Sequence, residues 1–389
     1  EAIEWYKEKH RFLLTMGVDS FKTDFGEAVP EDAIFYNGKS GKEMHNTYAL
    51  LYNKTVWEVI KEANGKGIIW HRSAFTGSQQ YPVCWSGDPS SKWADMAATV
   101  RGGLSLSLSG FAFWSHDIGG YHGTPTQELF IRWAQYGLLS SCARIHGYTP
   151  RDPWLFGDEA EKIFRDFAEL RYSLIPYLWL YANESVTTGL PIMRPLVLEY
   201  QDDYASRWID TQYLLGENIM VAPVLEEDGF QEIYLPPGDW YDFWTKRRVH
   251  GGVIFSQETP LVIVPVYMRA GSILPFAKPT QSVEDMWEYD VVRCFAPTSE
   301  HDQFSSFELD GVSFSQQFEQ GGKLTVKADG CSCFPTWEIW GVPEPISVET
   351  TDAKLQRVNN CLLAQGWSWD AREKVLRIKA MHHVFRVIF

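Results

Sequence analysis

The first candidate for chemistry in this chain is the segment K-T-D-F-G-E at residues 22–27, which places a lysine and two carboxylates where a β-prone stretch ends. A carboxylate at a strand end, here Asp24, could act as a nucleophile or a base. Lys22 lies two residues earlier on the same side of the strand, and it could favour ionised Asp24 or hold a substrate hydroxyl. A salt-bridged strand end without a catalytic role explains the segment equally well.

A second candidate carboxylate, Asp88, lies in the loop W-S-G-D at residues 85–88. Trp85 supplies an apolar wall there, and a carboxyl group beside an indole can have its pKa raised, which suits a general acid. An ordinary aspartate turn before Pro89 is the simpler interpretation of the loop.

Two basic side chains follow other predicted strands. Arg72 comes just after the β-prone residues 68–70 and could bind a sugar hydroxyl or hold a carboxylate in place. His146 follows a predicted strand over residues 138–145, and a neutral imidazole there could donate a hydrogen bond to a hydroxyl. A single histidine is, however, more often a structural residue than a ligand-binding one.

The segment W-S-H-D-I-G-G at residues 114–120 is a third motif at the end of a predicted strand. Its Asp117 could be catalytic. A buried aspartate that orients Arg72 or caps the next segment is an equally good interpretation.

The composition favours a neutral small molecule such as a sugar as the ligand. Aromatic residues make up 15% of the chain, and surplus Trp and Tyr line sites that stack flat, amphipathic ligands. The formal net charge of −15 argues against nucleic acid or an anionic membrane as the main partner. The sequence also has no run of ~18 apolar residues that could cross a membrane as a helix.

No cofactor and no metal ion is predicted. The sequence has no G-x-S-x-G motif, no phosphate-binding P-loop, no H-E-x-x-H and no dinucleotide-binding fingerprint. Its ten histidines form no metal-binding pattern. What remains is a set of carboxylates and aromatic residues at strand ends, which suits glycoside chemistry.

The cellular location is left open by the sequence. Six cysteines are compatible with either an oxidising or a reducing compartment. Glycosylation sequons at Asn53 and Asn183 lean towards secretion, and a cytoplasmic location remains an alternative.

These residues need a scaffold of strands and helices, and the first 190 residues predict one. Helices are predicted over residues 1–16, 42–63, 93–101 and 159–184, and strands over 18–23, 68–70, 111–115 and 138–145. Repeated β-then-α units indicate a parallel sheet with crossover helices. Because the candidate residues follow strands, they fit the C-terminal face of a (β/α)8 barrel, of which only about four or five units can be counted. We therefore predict that residues 1–190 form the second half of such a catalytic barrel.

Beyond residue 190 the pattern changes to short β-prone runs separated by Pro and Gly. Such runs lie at 219–224, 232–235, 253–255 and 261–266, and an all-β stretch follows from residue 276. We predict a proximal β-sandwich over residues 191–275 and a distal β-sandwich over residues 276–389. The expected fold class is thus α/β, a half-barrel followed by two all-β domains.

In their order and approximate spacing, these motifs resemble those of glycoside hydrolase family 31. The resemblance rests on residues 22–27, 72–73, 85–88, 114–120 and 144–147, on Y-L-L-G-E-N-I-M-V-A-P-V at 213–224 and on Y-L-P-P-G-D-W at 234–240. It covers nearly all of the chain up to about residue 275. The last hundred or so residues match the family only in their all-β character.

The resemblance implies a role for each candidate residue. Asp24 takes the position of the nucleophile and Asp88 that of the acid/base residue, so Asp88 is favoured over Asp117 as the proton donor. The other residues implied in or around sugar subsite −1 are Lys22, Arg72 and His146 as binding residues, with Trp85, Trp114 and Asp117 walling or supporting the pocket.

The form K-T-D-F-G-E resembles the α-xylosidase branch of the family. It implies a retaining exo-α-glycosidase, an α-xylosidase that releases xylose from xyloglucan-type oligosaccharides. Alternatives are an α-glucosidase or transglycosylase of the same family, and a non-catalytic carbohydrate-binding protein on the same fold.

In the family, a β-sandwich and the early barrel strands precede the nucleophile strand. The expected partners are therefore an oligosaccharide substrate and an N-terminal half of the same enzyme, with an oligomer as a further possibility. We expect residues 1–389 alone to be inactive and poorly soluble, since an open half-barrel exposes sheet edge and apolar surface.

Overall fold

The computed structural model describes residues 1–283, 287–298 and 303–389. Its first part alternates strands and helices. In chain order the elements are α1 (Ala2–Thr15), β1 (Phe21–Thr23), α2 (Gly41–Asn64), β2 (Ile69–His71), β3 (Cys84–Trp85), α3 (Trp93–Leu108), β4 (Trp114–Ser115), β5 (Asp117–Ile118), α4 (Gln127–Leu138), β6 (Arg144–Ile145), α5 (Asp158–Ser173) and α6 (Ile175–Thr188). Short 3₁₀ turns lie at Ser78–Gln80 and Pro153–Phe156.

All strand pairs of this first part are parallel among the described residues. Strands β1, β2, β3 and β4 form one sheet in sequence order, and β5 pairs with β6. Within the four-stranded sheet, the connections from β1 to β2 and from β3 to β4 each carry an α-helix, the usual crossover between parallel strands, and the connection from β2 to β3 carries the 3₁₀ turn at Ser78–Gln80. The result is part of a (β/α)8 barrel, and the carboxyl ends of its strands share one face.

The start of helix α2 is determined by its local sequence. The Ser40 hydroxyl accepts a hydrogen bond from the backbone N–H of Glu43, and the Glu43 carboxylate accepts one from the backbone N–H of Ser40. This capping box satisfies two donors that a helix start otherwise leaves without partners. The helix therefore begins one residue before its predicted start at residue 42.

Two predicted elements differ from the structure for identifiable reasons. Residues 138–145 were expected to form a strand, but α4 runs through Leu138 and only Arg144–Ile145 is extended. Every residue from Leu129 to Leu138 is buried, the polar Arg132 and Gln135 included, so the sequence shows no exposed face that would mark where this helix ends. The single helix predicted over 159–184 is two helices, because Pro176 in the first turn of α6 has no backbone N–H to continue α5.

The second part of the chain is built from strands, apart from the short helix α7 (Leu196–Glu199) and a 3₁₀ turn at Ala205–Trp208. Its strands are β7 (Met193–Pro195), β8 (Tyr213–Leu215), β9 (Ile219–Val221), β10 (Phe230–Leu235), β11 (Asp239–Asp242), β12 (Arg248–His250), β13 (Val253–Glu258) and β14 (Val266–Arg269). Six of them form a sheet in the order β12-β11-β14-β9-β8-β7, and β10 pairs with β13. The predicted strand at 261–266 is mostly loop, since β14 begins only at Val266.

The last part contains two five-stranded sheets that enclose a core of their own. The strands are β15 (Ile273–Ala277), β16 (Tyr289–Phe295), β17 (Phe304–Leu309), β18 (Val312–Glu319), β19 (Lys323–Asp329), β20 (Thr336–Trp340), β21 (Ser347–Glu349), β22 (Gly366–Asp370), β23 (Val375–Lys379) and β24 (Val384–Ile388). The sheet orders are β15-β16-β20-β23-β22 and β17-β18-β19-β24-β21. Side chains from both sheets, such as Trp337 and Phe314, fill the space between them.

The barrel part and the strands after it share one apolar core. That core joins Trp133 of α4 to Val266 of β14 and Trp340 of β20. The buried guanidinium of Arg132 adds polar ties, because it donates hydrogen bonds to the carbonyls of Thr259 and Ile263. The all-β units therefore brace the outside of the barrel part. Within the described residues, no helix is long and apolar enough to cross a membrane.

Candidate active site

The pairing of β1 with β2 brings two of the candidate residues together. Lys22 lies opposite Trp70 in the parallel register, so Asp24 and Arg72, each two residues further on, leave the sheet side by side. The Nη1 atom of Arg72 lies 3.1 Å from Oδ1 of Asp24. Parallel pairing alone accounts for this contact, because it aligns residues at equal distances past the paired positions.

Arg72 also reaches the second carboxylate. Its Nη1 lies 3.4 Å from Oδ2 of Asp88, and its Nη2 forms an ion pair with Glu27. A single guanidinium thus holds three carboxylates, two of them the catalytic candidates. Glu27 belongs to the motif at residues 22–27 but was not predicted as a site residue; its spacing from Asp24 was the available signal.

Asp24 is surrounded by donors that stabilise its charge. Nζ of Lys22 lies 3.1 Å from Oδ2, and the backbone N–H of Phe25 donates to Oδ1 at 2.9 Å. Burial alone would raise the pKa of Asp24, but these two hydrogen bonds and the charges of Lys22 and Arg72 hold it below the usual 3.8. Asp24 is therefore an anion throughout the neutral pH range.

The turn after Asp24 depends on a glycine. Gly26 has φ +89°, and a Cβ atom added there would lie 2.6 Å from Oγ of Ser73 and 2.7 Å from the ring of Tyr52. Only glycine combines this φ with so close an approach. The Tyr52 hydroxyl in turn donates to the Asp24 carbonyl at 3.2 Å, so the backbone that carries the carboxylate is held from both sides.

Trp85 forms a wall with cations on its ring. Nζ of Lys22 lies 4.4 Å from the ring centroid, and the guanidinium carbon of Arg144 lies 5.2 Å from it. Both distances are within the range of cation–π attraction. The indole therefore fixes the position of Lys22 beside Asp24.

Asp117 has a different partner from the one considered in the sequence analysis. It is fully buried, and it accepts hydrogen bonds from Nε (2.9 Å) and Nη2 of Arg144, not from Arg72. Its Oδ2 has no hydrogen-bond partner in the described part of the chain. Burial raises the pKa of Asp117 to about 6, against the opposing effect of Arg144. Arg144 was missed as a site residue, although the β5–β6 register places it directly opposite Asp117.

His146 lies two residues beyond Arg144, with its ring centroid 5.4 Å from that of Tyr121. Burial lowers its pKa, and the charges of Arg144 and Lys22 lower it further. The imidazole is therefore neutral near pH 7 and can donate one hydrogen bond.

Trp114 does not line the site. Its side chain is fully buried, its Nε1 donates to Oγ of Ser107 at 2.9 Å, and its ring fills the space that a Cβ at Gly103 would occupy. The sequence analysis expected Trp114 either to form a wall of the pocket or to support the pocket from behind. Its buried position fits only the second expectation.

A cleft of about 530 Å³ opens beside these groups. Arg72, Trp85, Asp88 and Glu27 line it, together with His45 of α2. Asp24 and Lys22 stand beside it, through the contact of Asp24 with Arg72 and that of Lys22 with Trp85. His146 contacts Tyr121 and is not among the residues that line the cleft. In the described ranges, no three His, Cys, Asp or Glu side chains are grouped so that they could hold a metal ion.

Comparison with known proteins identifies the family. Residues 1–181 match the glycosyl hydrolases family 31 TIM-barrel domain, and residues 189–274 match the glycosyl hydrolase family 31 C-terminal domain. An α-xylosidase of Emericella nidulans is 39% identical over 288 residues, which are 70% of this chain and 37% of the relative. The α-xylosidase XylQ of Lactiplantibacillus pentosus is 43% identical over 299 residues, 74% of this chain and 39% of the relative.

A solved structure supports the same relationship. The family 31 dextranase of Flavobacterium johnsoniae superposes with a TM-score of 0.87 at 28% identity, over all of this chain and 55% of the dextranase. Other relatives are named α-glucosidase 2 (Bacillus thermoamyloliquefaciens), 1,3-α-isomaltosidase (Kribbella flavida) and sulfoquinovosidase (Escherichia coli), at 29%, 34% and 35% identity. The chain spans less than half the length of the curated relatives it matches. With two family domains covering most of its length, this chain belongs to glycosyl hydrolase family 31 and resembles the α-xylosidases of that family.

Proposed function

We propose that this chain carries the catalytic carboxylates of a retaining exo-α-glycosidase, an α-xylosidase that releases xylose from xyloglucan-type oligosaccharides. The observation that carries the proposal is the contact of one arginine, Arg72, with both Asp24 and Asp88 beside a cleft. Because both contacts involve the same nitrogen, at 3.1 Å and 3.4 Å, the two carboxylate oxygens lie no more than about 6.5 Å apart. That limit accommodates the ~5–5.5 Å separation of carboxyl groups in retaining glycosidases.

The surroundings of the two carboxylates differ in the way that a double displacement requires. Asp24 accepts three contacts, from Lys22, Arg72 and the N–H of Phe25, and its pKa is lowered. It is therefore the anion that attacks the anomeric carbon and forms the glycosyl-enzyme. Among the described residues, Asp88 forms one ion pair, a longer contact with Arg72. It stands in the cleft, where it can give a proton to the leaving oxygen and later take one from water.

Asp117 is the competing candidate for the proton donor, since its pKa of about 6 would suit a general acid. Its carboxyl group is fully buried, however, and is held by Arg144. A group that no glycosidic oxygen can reach cannot protonate it. We therefore assign Asp117 to the positioning of Arg144 and Asp88 to proton transfer.

The remaining candidates would bind the sugar in subsite −1. Lys22, Arg72 and neutral His146 would donate hydrogen bonds to sugar hydroxyls, and Trp85 would supply a flat apolar surface. Xylose lacks the hydroxymethyl group that glucose has on C5. A site that excludes this group discriminates by ~1–3 kcal/mol, the usual effect of a methylene-sized difference.

The complete site would need barrel strands beyond those of this chain. Strand β1 pairs on one side only among the described residues, and α1 exposes Trp5, Phe12 and Met16. We propose that the rest of the protein, an N-terminal half, covers this edge and supplies further walls of the subsite.

The test is to measure kcat/KM of the enzyme that contains this chain on an aryl α-xyloside and on the matching α-glucoside. A large preference for the xyloside supports the proposal, and a preference for the glucoside would leave the mechanism but overturn the substrate. Activity on neither would favour a non-catalytic carbohydrate-binding protein.

The roles of the two carboxylates can be separated with azide as an external nucleophile. Asp24→Ala should lose turnover, and azide should restore it with formation of the β-configured glycosyl azide, because azide then attacks from the side of the missing carboxylate. Asp88→Ala should instead give the α-configured azide, formed from the glycosyl-enzyme. Asp210→Ala, an exposed aspartate paired with Arg101, is the matched control and should keep wild-type turnover. Wild-type turnover by Asp24→Ala would overturn the assignment.

A further inference from the structure

A pair of cysteines lies in the distal all-β part, far from the residues assigned to catalysis. Cys331 and Cys333 belong to the loop between β19 and β20, and their Sγ atoms are 2.8 Å apart. This separation is less than one ångström longer than the ~2.05 Å of a disulfide bond. A very small movement of either side chain would therefore bring the two sulfur atoms to bonding distance.

The loop is held so that the two thiols stay together. Gly330 precedes the pair with φ +68°, and a Cβ atom there would lie 2.0 Å from the Gly311 carbonyl oxygen, so no other residue fits this turn. On the other side, the ring of Phe334 stacks on that of His383 with centroids 4.7 Å apart. The segment therefore packs at one end against the turn between β17 and β18 and at the other against the residue that precedes β24.

The two thiols differ in exposure. Cys331 is 8% exposed and packs in the core between the two sheets, whereas Cys333 is half-buried at its rim. A small reagent can therefore reach Cys333 first, and Cys331 is then the neighbour that completes the reaction. Burial raises the pKa of the Cys333 thiol to about 12, and the adjacent Cys331 adds to this effect, so the Cys333 sulfur is a protonated thiol near neutral pH.

We propose that Cys331 and Cys333 form a reversible dithiol–disulfide site that is oxidised by small-molecule disulfides such as glutathione disulfide. The Cys333 sulfur, on losing its proton, attacks one sulfur of the oxidant, so that a mixed disulfide forms and one small thiolate leaves. The Cys331 sulfur then loses its proton and attacks Cys333, forming the Cys331–Cys333 bond and releasing the second small thiolate. The two thiolates take up the two protons, the protein pair loses two electrons, and the oxidant gains them.

The expected bond is labile and does not act as a stabilising staple. It closes a ring over three residues only, and so short a loop restricts the unfolded chain little. Disulfides that are strained or partly exposed to solvent are reduced more easily than buried structural disulfides. The site should therefore respond to the ratio of reduced to oxidised glutathione.

The test is to equilibrate the enzyme that contains this chain in glutathione buffers with different ratios of the reduced to the oxidised form. After acid quenching, alkylation and trypsin digestion, the peptide 328–354 contains both cysteines and no other. As the fraction of oxidised glutathione rises, this peptide should lose both alkyl labels and become lighter by two hydrogen atoms, and excess reduced glutathione should reverse the change.

Two variants separate this reaction from nonspecific oxidation. Cys331→Ser should stop at the mixed disulfide, with one glutathione on Cys333. Cys361→Ser, which removes a fully buried thiol of the same domain, should leave the transition unchanged. The proposal is overturned if the wild-type peptide keeps both labels at every ratio, or if either cysteine bonds to a different cysteine of the chain.

Discussion

Arg72 is the residue on which the assigned site most depends, and replacing it tests the reasoning directly. The substitution Arg72→Gln keeps a hydrogen-bonding side chain but removes the positive charge that contacts Asp24 and Asp88. Both carboxylates would then lose a charged donor at once. The spacing between them would no longer be set by a shared nitrogen.

The size of the effect follows from the two contacts. A hydrogen bond to a charged group contributes roughly 1.5–3 kcal/mol. The side chains of Asp24 and Asp88 are 35% and 29% exposed, so solvent screening favours the lower end of that range. Two contacts of ~1.5 kcal/mol amount to ~3 kcal/mol, which corresponds to a loss of about 150-fold in kcat/KM.

The assay is the steady-state hydrolysis of an aryl α-glycoside by the enzyme that contains this chain. Arg72→Lys keeps the charge but loses the fork of donors, so we expect an intermediate loss of activity. Arg101→Gln is the matched control, because Arg101 forms an exposed ion pair with Asp210 at 3.0 Å. Its kcat/KM should stay within about twofold of the wild type, as surface pairs contribute little.

The reasoning fails if Arg72→Gln and Arg101→Gln lose activity to the same small extent. It also fails if Arg72→Gln changes only thermal stability and leaves kcat/KM intact. Circular dichroism spectra and unfolding midpoints of each variant separate these outcomes from simple misfolding.

Three further predictions concern charge and packing around the site. Lys22→Met should move the acidic limb of the kcat/KM profile to higher pH, because Lys22 helps to hold the pKa of Asp24 below 3.8; an unmoved limb would contradict this. The pKa of Asp117 is raised from 3.8 to about 6 in the folded protein, so as the pH rises the unfolded chain loses the Asp117 proton at a lower pH than the folded protein does. The free energy of unfolding of the wild type should therefore fall by up to ~3 kcal/mol between about pH 4 and pH 6. Asp117→Asn should lack that part of the slope in urea unfolding, and an unchanged slope would refute the assignment. Gly103→Ala should lower the free energy of unfolding by ~1–3 kcal/mol, since the added Cβ would lie 1.8 Å from the buried indole of Trp114. Gly102→Ala, in the same helix, is the control: its added Cβ would have no atom within 4 Å, so it should raise the free energy of unfolding by ~0.5–1 kcal/mol.

The pairing of Asp24 with Arg72 illustrates what strand-end residues can predict. Each residue directly follows a short β-prone run, and parallel strands align such positions at one edge of the sheet. Asp24 and Arg72 could therefore be selected as candidate site residues from the sequence. The order of the β and α units likewise indicated a parallel sheet with crossover helices, which the structure confirms.

The sequence predictions were wrong where the residues concerned are buried, because burial by distant segments leaves no periodic pattern in the sequence. The residues that end α4, Tyr136 to Leu138, are buried, and from the sequence a short buried run can be interpreted as the end of a helix or as the start of a strand. Arg144 was overlooked for a related reason. An arginine in a strand is most often exposed, and nothing local shows that Asp117, 27 residues earlier, is buried beside it.

The sequence by itself determined the elements that short-range interactions encode: strand ends that carry carboxylates, a capping box at the start of α2, and glycine at the turn after Asp24. Only the tertiary structure decided which charges meet. It showed that Arg72 joins Asp24 to Asp88 and that Asp117 is paired with Arg144. The physical reason is that hydrogen-bonding periodicity and turn conformation act over a few residues, whereas charge pairing and burial depend on contacts between segments distant in the chain.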